Sequence, residues 1–209
     1  MDELFRTQDL NYNGMINYPD IIIEKGKINF IIGESGCGKS TLLKLFNMFY
    51  SPNKGEIFYK GELLSKKETL ALRKEVSLIS QEVFLFDDTI LENFRQFYDY
   101  REEKIPNEEY IKRMLEICCI DFALDKDCIT MSGGERQRVY TAIFLSFKPK
   151  VVMLDEPTSA LDEKNSVLVI ANILEFCKEY GIEVIIVTHD YRIRDKFFGN
   201  VIKLERSVE

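Results

Sequence analysis

The apolar residues of the chain fall into short continuous runs separated by longer segments with helical spacing. The runs show little polar–apolar alternation, which is typical of strands buried on both faces. Strands are therefore predicted at residues 27–32, 56–59, 76–80, 151–154, 184–188 and 201–204. Because several of these strands alternate with helical segments, the pattern predicts an α/β fold with a parallel sheet and helices on its faces.

Helical spacing of apolar residues predicts the helices that connect these strands. One helix covers residues 40–50 and is stopped by a turn over 51–55, which contains proline and glycine. Others cover 135–147 and about 163–180. The last of these ends at Gly181, a residue favoured just beyond helix C-termini.

The region between residues 82 and 131 differs from the rest of the chain. It is rich in charge and its apolar residues keep helical spacing, so it is predicted to form an inserted helical lobe. Residues 1–81 are predicted to form short strands and turns around one helix, and 132–209 continue the strand–helix alternation. We therefore expect one domain over residues 1–209, with 82–131 as an insertion.

Residues 33–41 read GESGCGKST and match the phosphate-binding pattern G-x-x-x-x-G-K-[ST]. A strand is predicted before this segment and a helix after it, which is the context of a P-loop. The glycines let successive backbone N–H groups face one anion, Lys39 reaches the β- and γ-phosphates, and the Ser40 hydroxyl binds Mg²⁺. The candidate ATP contacts are Gly33, Glu34, Ser35, Gly36, Cys37, Gly38, Lys39, Ser40 and Thr41.

Three further candidates follow buried strands. Asp155 and Glu156 end the strand at 151–154, and beside a P-loop we predict that Asp155 holds Mg²⁺ and Glu156 polarises an attacking water. His189, the only histidine, follows the strand at 184–188, and ligands of such sheets gather at the C-terminal ends of strands. The predicted catalytic residues are thus Lys39, Glu156 and His189.

A second motif, MSGGERQR at 131–138, begins another predicted helix. Ser132 supplies a hydroxyl, and Gly133 and Gly134 expose backbone N–H groups where the helix starts, so this tip forms another anion site. The P-loop already serves the chain's own triphosphate, and the tip is therefore available to a different nucleotide.

The motifs and their order resemble those of the ATP-binding subunits of ABC transporters over nearly the whole chain. Besides the P-loop and MSGGERQR, the sequence matches this family at Gln81, at SALD over 159–162 and at VTHD over 187–190. The resemblance implies a P-loop NTPase core with a mixed or parallel sheet, an N-terminal antiparallel β-subdomain and an inserted α-helical subdomain.

The resemblance also implies a role for each motif. Gln81 contacts ATP, senses Mg²⁺ and links the core to the helical lobe, and His189 contacts the γ-phosphate. Two chains, identical or homologous, enclose two ATP molecules head to tail. The residues expected to contact the ATP of the opposite subunit are Ser132, Gly133, Gly134, Glu135 and Asp162, and the expected Mg²⁺ ligands are Ser40, Gln81 and Asp155.

Aromatic residues have two candidate roles in this scheme. Tyr12 is the leading candidate for stacking on adenine, with Phe5 and Tyr18 as rivals, and core packing is the other role open to an early tyrosine. In the family, the stretch at 84–93 forms part of a groove that receives the membrane subunit. Four aromatic residues either line that groove or pack inside the helical lobe: Phe94, Phe97, Tyr98 and Tyr100.

Composition narrows the cellular setting. The formal net charge of -7 argues against non-specific binding to nucleic acid or anionic lipid, and no apolar run approaches the roughly 20 residues that span a bilayer. Five cysteines without paired spacing indicate free thiols in a reducing compartment. We expect a cytoplasmic protein, peripheral on the inner face of the cell membrane, with a separate integral membrane permease as partner.

The expected function is that of a Mg²⁺-dependent ATPase that powers a transporter. The short length and SALDEKN at 159–165 resemble small solitary ATPase subunits of the iron-export or metal-resistance type. The alternative is an ABC ATPase that drives lipoprotein extraction, cell-wall regulation or iron–sulfur assembly. A DNA-repair ATPase of the same superfamily is disfavoured, because the interval between the P-loop and MSGGERQR leaves no room for a long coiled coil.

Overall fold

The computed structural model describes residues 2–159 and 163–206, and its chain divides into two compact units. The sheet unit comprises Met1–Leu78, Lys150–Glu156 and Glu183–Glu209. The helical unit comprises Ile79–Pro149 and Pro157–Ile182. The predicted insertion at 82–131 falls within the helical unit, and the boundaries given to it above remain a prediction.

The described part of the chain forms ten strands and seven α-helices. The strands are β1 (Glu3–Tyr12), β2 (Ile16–Asn17), β3 (Ile22–Glu24), β4 (Ile28–Gly33), β5 (Lys54–Tyr59), β6 (Glu62–Leu63), β7 (Val76–Ile79), β8 (Val151–Asp155), β9 (Glu183–Val187) and β10 (Asn200–Leu204). The helices are α1 (Lys39–Phe46), α2 (Thr69–Glu75), α3 (Ile90–Tyr100), α4 (Glu108–Ile117), α5 (Gly133–Ser146), α6 (Glu163–Tyr180) and α7 (Tyr191–Lys196).

An antiparallel sheet in the sheet unit has the order β2-β1-β5-β6, and β3 also pairs with β1. Phe5 of β1 and Tyr59 of β5 are buried on one side of this sheet. Phe5 stacks on Phe46 of α1 with ring centroids 4.5 Å apart, so the helix that follows the P-loop packs directly on the sheet. This sheet agrees with the antiparallel β-subdomain implied by the family resemblance.

The second sheet has the order β10-β4-β9-β8-β7. The pairs β10/β4, β4/β9 and β9/β8 are parallel, and every residue of β8 is buried, as the continuous apolar runs predicted. Ile31 and Asp155 both lie opposite Val187 on β9. The C-terminal ends of β4, β8 and β9 therefore meet at one edge of the sheet.

Two local predictions differ from the structure, and one helix was not predicted. Helix α1 ends at Phe46 rather than at residue 50, because the backbone turns at Asn47 and Met48 takes a left-handed φ of 57°. Lys54 and Gly55 belong to β5 rather than to a turn; a β-carbon at Gly55 would lie 2.3 Å from the Asp9 carbonyl oxygen. Helix α2 was not predicted, since only Leu72 of this short charged segment is buried.

The helical unit is organised around the C-terminal end of α5. The hydroxyls of Tyr98 on α3 and Tyr110 on α4 both donate to the carbonyl oxygen of Ser146, at 3.1 and 3.2 Å. Helix α6 ends before Gly181, which has a φ of 65°, as predicted from the sequence. The helical unit therefore contains α3, α4, α5 and α6.

Two expectations from composition can be compared with the described residues. Within 2–159 and 163–206, no helix has both the length and the apolar character needed to cross a membrane. The five cysteines are all free.

Candidate functional site

The P-loop runs from the end of β4 to the first turn of α1. At two positions of the loop only glycine fits, because a neighbouring atom lies where a side chain would begin. A β-carbon on Gly33 would lie 2.3 Å from the Leu204 carbonyl oxygen, and one on Gly38 would lie 2.8 Å from the Tyr18 hydroxyl. Gly38 also has a φ of 95°, which favours glycine. These contacts fix the path of the loop. The first backbone N–H groups of α1, which have no partner within the helix, then point towards the loop.

Lys39 is the first residue of α1, directly after the loop, and is buried. Its ammonium group donates to the carbonyl oxygens of Gly33 and Glu34, both at 2.8 Å, and lies 4.0 Å from the Cys37 sulfur. The loop therefore holds a positive charge at the start of a helix whose N-terminus is itself positive. Ser35 and Gly36, in the central part of the loop, are exposed.

Asp155 and Ser40 supply oxygen atoms next to the loop. Burial raises the pKa of Asp155, while a hydrogen bond from the Ser40 hydroxyl and the charges of Lys44 and Lys39 act in the opposite direction. Its Oδ1 atom is buried and has no hydrogen-bond partner among the described residues. A buried carboxylate oxygen without a partner, beside a hydroxyl, fits a hard cation such as Mg²⁺.

Glu156 and His189 form a pair at the same edge of the parallel sheet. The Glu156 Oε2 and His189 Nδ1 atoms are 2.8 Å apart, and the backbone N–H of Glu156 donates to the Val187 carbonyl oxygen. Glu156 takes a left-handed φ of 50°, a strained conformation for a residue other than glycine. Its side chain is mostly buried, while that of His189 is 72% exposed, so the pair faces solvent through the imidazole.

The three adenine candidates have different surroundings. Phe5 is fully buried and already stacked on Phe46. Tyr18 is buried, and its hydroxyl donates to the Gly38 carbonyl oxygen at 2.9 Å. Tyr12 is partly exposed at the end of β1. Of the three, only Tyr12 is partly exposed, and it lies on the hairpin whose Ile16 side chain approaches Gly38.

In the helical unit, the Ser-Gly-Gly tip starts α5 through a capping box. The Glu135 carboxylate accepts from the Ser132 backbone N–H at 2.7 Å and from the Ser132 hydroxyl at 2.8 Å. The Ser132 hydroxyl in turn accepts from the Glu135 N–H at 3.4 Å. These bonds lower the pKa of Glu135. Gly133 is exposed and Gly134 is buried, so the first turn of α5 presents its backbone at the surface.

Comparison with known proteins agrees with these arrangements. A family model described as "ABC transporter" matches residues 16–159. The chain is a nucleotide-binding domain of the ABC transporter family. This assignment confirms the resemblance inferred from the motifs, and a domain of this family binds ATP.

Relatives and solved structures of the ABC family cover most of the chain. The probable iron export ATP-binding protein FetA of Escherichia coli K12 is 36% identical over 176 residues, which are 84% of this chain and 78% of FetA. The energy-coupling factor transporter ATP-binding protein EcfA2 of Clostridium perfringens is 36% identical over 86% of this chain and 66% of its own. The structure of cbiO1 from Clostridium perfringens, part of the ABC transporter complex cbiONQ, has a TM-score of 0.83 at 27% identity and covers 100% of this chain and 88% of its own.

Two further residues of the ABC domain were predicted from the family resemblance. Gln81 belongs to the helical unit, where it follows β7 and is exposed. Asp162, the last residue of the SALD motif, lies outside the described residues. The roles given to both remain predictions.

Asn93 and Arg136 organise the helical unit of the ABC domain and were not predicted. The Asn93 amide is fully buried and donates to the carbonyl oxygens of Phe86, Asp88 and Thr89. Arg136, one turn after Ser132, donates to the carbonyl oxygens of Cys128 and Leu85. The signal for Asn93 was present in the sequence: it is a polar residue on the apolar face of α3.

The capping box gives a stability prediction. Glu135→Ala should lower the free energy of unfolding by about 1 kcal/mol, because two N-terminal donors lose their acceptor. Since the pKa of Glu135 is lowered in the folded chain, this contribution should be present above the unfolded value of about 4.3 and disappear as pH falls through the folded value. Urea unfolding at pH 7 measures it.

Glu135→Gln is the matched control, because its amide oxygen can still accept from the Ser132 N–H. It should lose less stability than Glu135→Ala. Equal unfolding free energies for the alanine variant and the wild type would contradict a stabilising capping box.

Proposed function

We propose that the chain binds ATP and Mg²⁺ in the sheet unit and hydrolyses ATP to ADP and phosphate. We further propose that hydrolysis powers a transporter through an ATP-bound dimer and a separate membrane subunit. The supporting observation is the meeting, at one edge of the parallel sheet, of the P-loop, the unpartnered Asp155 oxygen and the Glu156–His189 pair. Phosphoryl transfer requires binding of the phosphates, a bound cation and an activated water, and one of these groups is available for each.

Binding of the triphosphate uses the loop, the helix terminus and Lys39. The glycine backbone and the N-terminus of α1 meet the phosphates, and the Lys39 ammonium adds a full charge at the β- and γ-positions. Ser40 and Asp155 would hold Mg²⁺, and Gln81 is a further ligand by family resemblance. When bound, Mg²⁺ neutralises charge on the β- and γ-phosphate oxygens.

Glu156 acts as the base for the attacking water. Its carboxylate takes a proton as the water oxygen bonds to the γ-phosphorus and the bond to the β–γ bridging oxygen breaks, leaving ADP and inorganic phosphate. The bond between its Oε2 and His189 Nδ1 orients the carboxylate. His189 Nε2, on the other side of the exposed ring, contacts the γ-phosphate.

The tip at Ser132 binds the nucleotide held by a second subunit. Its hydroxyl and the N–H groups of the first turn of α5 form an anion site that the chain's own P-loop does not require. A head-to-tail dimer, of identical or homologous chains, places each tip on the γ-phosphate of its neighbour. Asp162 takes part in this contact by family resemblance.

A cluster of aromatic side chains in the helical unit is proposed to bind the membrane subunit. Phe86 stacks on Tyr100 at 6.1 Å and meets Phe84 and Phe97 edge-on at 4.9 and 5.7 Å. Phe84 is 59% exposed and Tyr100 is 77% exposed. Buried aromatic anchors dominate the energy of many interfaces, and this exposed group suits that role. Phe94 and Tyr98 are buried and pack inside the unit.

The transport role is supported by what the relatives share. FetA is named for iron export and EcfA2 for an energy-coupling factor transporter, and a third relative, from Carboxydothermus hydrogenoformans, is named for methionine import. These three proteins are all 36% identical to the chain. The property common to them is ATP binding for a transporter, and this is the function we propose.

Two measurements test the proposed function. The purified chain should release phosphate from ATP only when Mg²⁺ is present, and release should stop when EDTA is added. The chain should also co-sediment with membranes of the cells that express it and be released with one integral membrane protein after mild detergent extraction. Absence of phosphate release, with and without that membrane protein, would overturn the proposal.

The aromatic cluster gives a prediction for coupling. Phe84→Ala should weaken association with the membrane subunit by about tenfold, as expected for loss of one interface anchor. Phosphate release by the isolated chain should stay unchanged, because Phe84 belongs to the helical unit and lies outside the P-loop site. Co-sedimentation with membranes measures the first effect.

Phe198→Ala is the matched control, since Phe198 is 94% exposed but belongs to the sheet unit. It should retain association. If Phe84→Ala and Phe198→Ala behave alike, the aromatic cluster is not the surface that binds the membrane subunit.

A further inference from the structure

A stacked pair of tyrosines joins the end of β1 to the segment that follows α1. The rings of Tyr12 and Tyr50 have centroids 5.1 Å apart and are inclined by 24°. We propose that Tyr50 is a positioning residue that holds Tyr12 for the base of the nucleotide, so that Tyr50 governs how strongly the chain prefers ATP to a bare triphosphate. This inference rests on the proposed function, in which Tyr12 stacks on adenine.

Tyr50 is anchored to the end of α1. The backbone N–H groups of Phe49 and Tyr50 both donate to the Lys44 carbonyl oxygen, at 2.8 and 3.1 Å. The Phe49 ring meets Tyr50 edge-on at 5.4 Å, and the Lys44 ammonium lies 5.7 Å from the centre of the Tyr50 ring. The ring of Tyr50 is therefore fixed relative to the helix that starts at the P-loop.

The backbone of Tyr12 is tied to the same segment. The side-chain oxygen of Asn53 accepts from the Asn13 backbone N–H at 2.6 Å. The backbone N–H of Asn53 donates to the Asn11 carbonyl oxygen at 2.9 Å. The two bonds flank Tyr12 on both sides. The tip of the β1–β2 hairpin and the segment bearing Tyr50 are thus held together at the backbone as well as through the rings.

The pair fixes which face of Tyr12 a ligand can use. One face lies on Tyr50, so a planar base must stack on the opposite face. Tyr12 pairs with Ile16 across the hairpin, and a Cβ at Gly38 would lie 3.0 Å from the Ile16 side chain. The hairpin end is therefore in contact with the P-loop, and one nucleotide can place its base on Tyr12 and its phosphates in the loop.

The structural alternative is that Tyr50 only packs the domain. Loss of packing would reduce stability and would weaken every ligand of the P-loop to a similar extent. Loss of a positioning ring would weaken ATP, which has a base, and leave tripolyphosphate, which has none, unaffected. The affinity for ATP divided by the affinity for tripolyphosphate therefore distinguishes the two roles: it falls if Tyr50 positions Tyr12 and stays constant if Tyr50 only packs.

The experiment measures dissociation constants of ATP and of tripolyphosphate by calorimetry on the full chain. Tyr50→Ala should weaken the binding of ATP by about three- to tenfold, the range expected for one aromatic pair. The dissociation constant of tripolyphosphate should not change. Tyr50→Leu, which keeps more volume but has no flat face, should show the same loss. Tyr50→Phe, which keeps the flat ring, should match the wild type.

A double-mutant cycle completes the test. Tyr12→Ala should lower the ratio at least as much as Tyr50→Ala, and Tyr12→Ala with Tyr50→Ala should lower it no further. An unchanged ratio in both Tyr50→Ala and Tyr50→Leu, with a lowered ratio in Tyr12→Ala, would overturn the role of Tyr50 and leave the proposed function standing. An unchanged ratio in Tyr12→Ala would refute base stacking on Tyr12, whereas failure of the wild type to bind ATP would refute the proposed function itself.

Discussion

Glu156→Gln is expected to reduce the rate of phosphate release from ATP by at least about 100-fold while ATP still binds. Glutamine preserves the size of the side chain and can accept from His189, but its amide cannot take a proton from the attacking water. The affinity for ATP should remain, because Lys39 and the loop backbone are untouched. Steady-state phosphate release and equilibrium binding of ATP measure the two quantities.

The same variant tests the proposed dimer. With hydrolysis blocked, the ATP-bound dimer should accumulate and elute earlier than the ATP-free chain on gel filtration. Glu205→Gln, which removes the same charge from an exposed side chain after β10, is the control and should behave as the wild type. Wild-type turnover in Glu156→Gln would exclude Glu156 as the base, and a persistently monomeric ATP complex would exclude the dimer as proposed.

Asp155→Asn should abolish Mg²⁺-dependent turnover and, without metal, stabilise the fold. The carboxylate is buried, its pKa is raised by that burial, and its Oδ1 has no partner among the described residues. Replacing it by a neutral amide removes the cost of burying a charge, which is the cause of the raised pKa, so the variant should need more urea to unfold than the wild type. Urea unfolding in EDTA measures the gain, and phosphate release measures the loss.

The pH dependence of this stabilisation has a defined sign. Because the folded pKa of Asp155 is raised, the penalty in the wild type is complete above that value and shrinks as pH falls towards the unfolded value of about 3.9. The difference between variant and wild type should therefore narrow on acidification. A destabilised variant at pH 7 in EDTA, or one that keeps Mg²⁺-dependent turnover, would contradict the reading of Asp155 as a cation ligand.

Much of the fold followed from local patterns in the sequence. The apolar runs at 151–154 and 184–188 predicted strands because burial on both faces requires them, and the structure has β8 and β9 there. The P-loop was predictable since its glycines and lysine act within one short segment. The end of α1 and the existence of α2 were not predictable, because a left-handed turn at Met48 and a helix with one buried residue leave weak signals.

The site depended on contacts between distant segments. The bond between Glu156 and His189 arises because Asp155 pairs with Val187 across β8 and β9, a register that no local pattern specifies. The unpartnered oxygen of Asp155 is likewise a property of packing. The stacking of Tyr50 on Tyr12 joins residues 12 and 50, and spacing alone could not have distinguished it from ordinary core packing.

The two hydrogen bonds of the Lys39 ammonium reduce the conformational entropy that this side chain loses when a nucleotide binds. An ammonium group has three protons, and the Gly33 and Glu34 carbonyl oxygens take two, while the third has only a distant sulfur at 4.0 Å. In the proposed ATP complex, a phosphate oxygen would accept this third proton. The rotamer freedom of this side chain, worth up to about 2 kcal/mol, is thus lost when the sheet unit folds and not when the ligand arrives.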